Sequence, residues 1–164
     1  MRIYIFGSAG SGKTTVAKKI SQKLNIPNFD LDEIFWNFEY GKKNETKRKE
    51  EVNRIISKKD WIIEGMYRDE WLKDILSSSD YIFILKPSKI LLYWRIIKRT
   101  LLRIFQIEKY KRKSDINLLS NLLDTAKKFD KERLPEFLSQ VNSLNKKTIF
   151  VENEQQILQN LKTK

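Results

Sequence analysis

The sequence predicts an α/β fold: one domain built on a five-stranded parallel sheet with helices on both faces. Three observations carry this reading. Short apolar runs alternate with amphipathic stretches along the 164 residues, as in chains where helices cross over between parallel strands. There is no internal repeat, no low-complexity tract and no linker rich in Pro, Gly or Ser, so a single domain spanning 1–164 is expected. The first apolar run, Arg2 to Phe6 (RIYIF), leads through a glycine-rich segment directly into a helical pattern.

That segment reads Gly7-Ser8-Ala9-Gly10-Ser11-Gly12-Lys13-Thr14 and matches G-x-x-x-x-G-K-[ST]. Glycine lets the backbone curl into a nest whose N–H groups converge on one anion, at the positive end of the next helix. Residues Gly7, Ser8, Ala9, Gly10, Ser11, Gly12, Lys13, Thr14 and Thr15 are therefore the expected binding loop for the phosphates of ATP. Lys13 is placed to reach the β and γ phosphates and the Thr14 hydroxyl to ligate Mg²⁺. Only five glycines occur in the chain, and three of them stand in this loop.

The helix after the loop carries Val16, Ala17, Ile20 and Leu24 on one face and Lys18, Lys19, Gln22 and Lys23 on the other, and Pro27 stops it. A second strand is expected at Asn28 to Leu31, a third at Trp61 to Glu64, a fourth at Tyr81 to Leu85 and a fifth at Thr148 to Val151. Helices are expected within 45–58, 69–78, 88–106, 116–129, 131–144 and 154–162.

In open parallel sheets ligands bind beyond the carboxyl ends of the strands, so the residues just after each strand carry the chemistry. After strand two come Asp30 and Asp32, which strand alternation would put on one side, near the phosphate loop. One carboxylate there can serve Mg²⁺ and the other an acceptor hydroxyl, although Asp is also a common helix cap. Trp36 and Phe35 follow as candidate walls of an acceptor pocket. After strand three come Glu64, Gly65, Met66, Tyr67 and Arg68.

Composition narrows the chemistry. There is no Cys and no His, which excludes a thiol nucleophile, a His-based triad and a thiolate zinc site. Phosphoryl transfer needs neither side chain. The net charge of +12 points to a phosphate-rich partner, or merely to a bias toward Lys, Ile and Asn. Ten Lys or Arg against one acid, Glu108, fall between Lys86 and Lys113. In that stretch Arg95, Arg99 and Arg103 project along one helix face, while Ile90, Leu91, Trp94, Ile97 and Leu101 form an apolar one. Tyr93, Trp94, Phe105 and Tyr110 interleave with the charges, so a nucleic-acid surface is the competing reading, not the favoured one. No apolar signal region and no span long enough for a membrane helix occur, and a cytoplasmic location is expected.

The phosphate loop, Asp30-Leu31-Asp32 and Trp61-Ile62-Ile63-Glu64-Gly65-Met66-Tyr67 together resemble the adenylate-kinase-related P-loop kinases. Within them the chain looks most like the small bacterial DNA topology modulation proteins, with their acidic-Gly-x-Tyr step after strand three. The resemblance implies a three-layer P-loop NTPase fold with strand order 2-3-1-4-5 and a short helical lid at about 107–115. It implies an ATP-dependent small-molecule kinase acting on a nucleoside, nucleotide or similar acceptor. The alternative is a nucleotide-switched binding protein with slow ATPase activity and a nucleic-acid or protein partner.

By the same resemblance Lys13, Asp32, Arg95 and Arg99 would be catalytic, and Thr14, Asp30 and Glu64 would form the metal site. Asp30, Asp32, Trp36, Gly65 and Arg68 would contact the acceptor, with Arg68 on an anionic group. The sequence departs from the nucleotide kinases at Met66-Tyr67 and has Glu64 where the relatives usually have Asp. The base of ATP is expected near Glu152-Asn153-Glu154.

Overall fold

A computed structural model describes residues 1–37, 41–42, 44–104 and 116–162 of the protein. Strand β1 (Arg2–Phe6) leads into helix α1 (Lys13–Leu24), β2 (Asn28–Asp30), the short α2 (Leu31–Phe35) and a small hairpin of β3 (Trp36–Asn37) and β4 (Gly41–Lys42). Helix α3 (Glu45–Ile56), β5 (Trp61–Glu64), α4 (Leu72–Ser78), β6 (Tyr81–Leu85) and α5 (Lys89–Ile104) follow. Then come α6 (Ile116–Lys128), a π-helical turn (Phe129–Arg133), α7 (Leu134–Ser143), β7 (Thr148–Val151) and α8 (Glu154–Lys162).

Five strands pair in parallel in the order β2-β5-β1-β6-β7. Counted along the chain this is 2-3-1-4-5, as expected. Alternation divides β1 between two cores. Tyr4 and Phe6 face a cluster with Leu31, Val52, Leu72 and Phe137, while Ile3 and Ile5 face one with Ala17, Ile20 and Ile157. Helices therefore cover both faces of the sheet, and each fully covered Ile or Phe contributes about 1.5–3 kcal/mol of burial.

Local chemistry sets the element ends. Helix α1 stops at Asn25, held in a left-handed conformation at φ 54°, two residues before Pro27. Asn44 caps α3 by accepting from the Thr46 N–H at 2.9 Å.

The structure departs from expectation in three places. Strand β2 ends at Asp30, because that residue caps α2 and hands Leu31 to a helix. The small hairpin of β3 and β4 was not expected, although residues 36–40 alternate aromatic and polar side chains and Gly41 follows them. The helices expected at 116–129 and 131–144 form one continuous run through the π turn, whose extra residue keeps Phe129 and Phe137 both buried against Phe6.

Helix α5 is rotated relative to its apparent apolar face. It is buried through Leu92, Ile96 and Thr100, whereas Ile90 is 86 % and Trp94 56 % exposed. This face meets the phosphate loop, where Ile96 packs on Gly10 and Arg95 reaches Ser11, and it meets α6, where Leu92 and Ile96 pack with Ala126. Lys98 shields part of the exposed face, its Nζ 4.8 Å above the Trp94 ring.

Candidate active site

The site forms where β1, β2 and β5 end side by side. The chain after Phe6 turns back through a Ser11 N–H to Ser8 C=O bond of 3.2 Å, and α1 starts immediately after Gly12. Gly10 has φ +78°, and a Cβ there would lie 2.5 Å from Ile96 Cγ1. Only glycine lets α5 approach the loop this closely. Arg95 crosses from α5 to donate to the Ser11 carbonyl at 2.8 Å, and Lys13 Nζ donates to the Ser8 carbonyl at 3.1 Å. Burial holds the Lys13 ammonium below its ordinary pKa, opposed by the charges of Glu64, Asp32 and Asp30, while Arg99 adds to the lowering. Ser11 Oγ is buried with no hydrogen-bond partner among the described residues. A buried hydroxyl without a partner, a desolvated ammonium and a glycine nest are what a phosphate chain would satisfy.

The acidic side of the site is a chain of contacts. Thr14 Oγ1 donates to Glu64 Oε1 at 2.6 Å. Glu64 is 2 % exposed, and burial pushes its carboxyl up to about 7, with Lys13 pulling the other way. Asp30 accepts the Asp32 N–H at 2.8 Å as the cap of α2, and burial raises its pKa too. Asp30 and Asp32 are thus not alternate strand residues on one side. Asp32 sits in the first helical turn and accepts the Tyr67 hydroxyl at 2.5 Å. Tyr67 is held between Phe35 and Trp71, at ring distances of 4.7 and 5.9 Å.

Among the described residues no group of three acidic side chains stands close enough to hold a metal ion alone. Thr14 with Glu64, and Asp30 nearby, suit a cation that takes its other ligands from phosphate and water.

Beside these groups lies a cavity of about 230 Å³ lined by Phe6, Phe35, Tyr67, Arg68, Arg133 and Glu136 among others. Gly65, expected to contact an acceptor, precedes the lining residue Met66 and does not line the cavity itself. A Cβ on Gly65 would lie 2.7 Å from Leu31 Cβ, and Tyr4 donates to the Gly65 carbonyl at 3.0 Å. Trp36 does not line the cavity itself and meets it through Phe35, ring against ring at 5.1 Å. Arg68 pairs with Glu136 at 2.8 Å. Arg103's side chain and the expected lid at 107–115, with Phe105 and Tyr110, lie outside the described residues.

A parallel sheet in the order 2-3-1-4-5, with a lysine-bearing glycine nest after its central strand and acids after its neighbours, decides the fold family. This is the P-loop kinase fold. A family model for shikimate kinase matches residues 9–85, just under half of the chain. No curated protein matches the sequence. Among solved structures, shikimate kinase from Acinetobacter baumannii in complex with shikimate is 20 % identical, with 99 % of this chain and 93 % of that chain covered at a TM-score of 0.59. A gluconokinase from Sinorhizobium meliloti 1021 is 17 % identical, with 92 % and 81 % covered at a TM-score of 0.51. Shikimate kinase from Bacteroides thetaiotaomicron is 16 % identical, with 94 % and 87 % covered at a TM-score of 0.57. The family match and the P-loop kinase fold support a small-molecule kinase whose acceptor is unassigned. They bear on the wider kinase resemblance and not on the narrower likeness to topology modulation proteins. No helix among the described residues is long and apolar enough to cross a membrane.

Sequence reasoning missed four side chains of the cavity and its rim. Tyr67 was legible only as part of a motif, with no role. Arg48 sits in Lys47-Arg48-Lys49 and looks like one of a solvated charge run, yet it is 3 % exposed. It donates to Asp69 at 2.9 Å and lies 4.6 Å from the Phe35 ring centroid. Arg133 and Glu136 come from the π turn and α7, far along the chain.

Proposed function

We propose that the chain is an ATP- and Mg²⁺-dependent kinase that transfers the γ-phosphoryl group of ATP to a small acceptor held in the cavity beside Asp32. The observation that carries this is the convergence of Lys13, Thr14, Glu64 and Asp32 on the edge between the phosphate loop and the cavity. The nest formed by Gly7 to Thr15 would hold the phosphates of ATP. Lys13 would leave the Ser8 carbonyl for the β and γ phosphates, and Arg95 and Arg99 would stabilise charge on the transferring group.

Thr14, Glu64 and Asp30 would hold Mg²⁺, which when bound neutralises charge building up on the phosphate oxygens. Asp32, fixed through Tyr67, would accept the proton of an acceptor hydroxyl. Phe35, with Trp36 behind it and Gly65 beside the lining Met66, would shape the acceptor pocket, and Arg68 would lie at its mouth. A soluble cytoplasmic enzyme accords with this reading. The acidic-Gly-x-Tyr step, Glu64-Gly65-Met66-Tyr67, supports a likeness to the topology modulation proteins within that kinase group.

A coupled ADP-release assay across nucleosides, nucleotides and sugar acids tests the proposal. An acceptor should raise turnover well above basal hydrolysis; if none does, the kinase reading fails. The second reading, a nucleotide-switched binding protein, is favoured by the exposure of Trp94 under Lys98 on a helix that also touches the phosphate loop. It requires single-stranded DNA or RNA affinity that changes between ATP and ADP and falls with salt.

A further inference from the structure

Helix α5 turns a wide apolar face outward. At about 100° per residue, Ile97, Ile90, Leu101, Trp94, Leu91 and Leu102 fall in that order across a sector of about 140°, and Lys98 is the one polar residue in it. The first five are exposed, and among the described residues Met1 and Phe150 are the only other exposed large apolar side chains. Trp94, Ile97, Lys98, Leu101 and Leu102 form a shallow groove of about 340 Å³ along the helix. Contiguous exposed apolar surface of this kind marks an interaction site.

Charge and composition select the partner. Helix α5 carries Lys89, Arg95, Lys98, Arg99 and Arg103 and no acid. Arg95 turns to the phosphate loop and Lys89 to Asp130. A helix is only about 10–12 Å across, however, close to the Debye length of about 8–10 Å, so all five cations act on whatever lies against the face. A second copy would set like charges against each other. Single-stranded nucleic acid is held by aromatic stacking, yet Trp94 is the one aromatic ring in the sector and Lys98 covers one side of it. A protein partner is kept in register by roughly one hydrogen bond per 100–200 Å², and the sector offers Lys98 alone. Lipid requires no such bonds. Aliphatic side chains, a tryptophan and a lysine whose stem lies along the apolar groove suit a helix seated in a bilayer interface.

We propose that the α5 face from Ile90 to Leu102 docks on an anionic phospholipid surface, with the helix lying in the interface plane and Lys98 among the headgroups. The helix rests on the bilayer and does not cross it, as its 16 residues require. The contacts of Ile96 and Arg95 with the phosphate loop lie outside the sector, so docking leaves them in place.

Sedimentation with vesicles tests this, and no readout depends on turnover. One set of vesicles is phosphatidylcholine and the other is phosphatidylcholine mixed with phosphatidylglycerol. The wild type should bind the mixed vesicles at least about tenfold more tightly than the neutral ones, with the difference shrinking as salt rises. Replacing Ile90→Gln and Trp94→Gln together changes no charge and should weaken binding to the mixed vesicles by at least about tenfold. Trp94→Phe keeps the face apolar, so it should bind like the wild type but lose the blue shift of tryptophan emission that docking produces. Unchanged melting temperatures verify the fold of each variant. No binding to the mixed vesicles overturns the proposal. Equal binding by the wild type and the double Gln variant also overturns it, since charge attraction alone would then be at work. A dimer abolished by the double Gln variant, or binding of single-stranded DNA in place of vesicles, overturns it in favour of a second copy or of nucleic acid.

Discussion

Thr14 Oγ1 and Glu64 Oε1 meet at 2.6 Å across 50 residues of sequence, joining the first turn of α1 to the end of β5. This bond ties the phosphate side of the site to its acidic side and places a hydroxyl and a buried carboxylate on one small volume. Because Lys13 and Thr14 are adjacent, the same bond holds the backbone that carries the lysine beside the acid.

The pH dependence of stability follows from that burial. In the metal-free protein Glu64 titrates near 7 where the free side chain titrates at 4.5, so the folded state binds more protons than the unfolded state between those values. Its contribution is complete below about pH 4.5 and is lost as pH rises through 7, a span on the order of 3 kcal/mol. Asp30 shifts in the same direction. Thermal melts of the metal-free protein from pH 5 to pH 8 should therefore show a fall that Glu64→Gln flattens. Parallel slopes for the two proteins would contradict the assignment.

Lys13→Ala should lower ATP turnover by at least about a hundredfold while leaving the fold in place, since among the described residues the ammonium donates only to the Ser8 carbonyl. Initial rates and circular dichroism on the same preparation check both halves. Retained turnover would move the active site elsewhere.

Tyr67 aims Asp32, so Tyr67→Phe should lower kcat for an acceptor by roughly tenfold, about 1.4 kcal/mol, with a smaller change in the KM for ATP. Asp32→Asn should cost more in kcat than Tyr67→Phe. Steady-state kinetics on both variants decide the point, and a loss confined to the KM for ATP would be the wrong pattern.

Gly10→Ala combines a positive φ with a clash on Ile96. Its stability should fall by about 1–3 kcal/mol, and ATP affinity should fall with it because the nest is distorted. Urea denaturation and nucleotide titration measure the two effects. An unaffected midpoint would show that α5 can shift away without cost.

Much of this protein was legible in its residues. The glycine spacing, the lysine and threonine that follow it, and the four further apolar runs determine a doubly wound sheet and a phosphate loop, because those features depend on local backbone freedom and short-period patterning. Asp30, Asp32, Glu64 and Arg68 were identifiable because each stands at or soon after the carboxyl end of a strand, on the edge where such sheets bind ligands. The rotation of α5 was not legible, since Trp94 and Ile96 are equally apolar as letters and only packing against Gly10 and α6 chooses between them. Nor was the pairing of Arg68 with Glu136, or the burial of Arg48 under Phe35. These join residues far apart in the chain, and a charge in a sequence does not say which opposite charge will stand beside it. The sequence by itself determined the fold and the chemistry at the phosphate loop. Tertiary packing alone decided which charges line the cavity beside Tyr67 and what holds Asp32, because both depend on contacts between elements that no local pattern encodes.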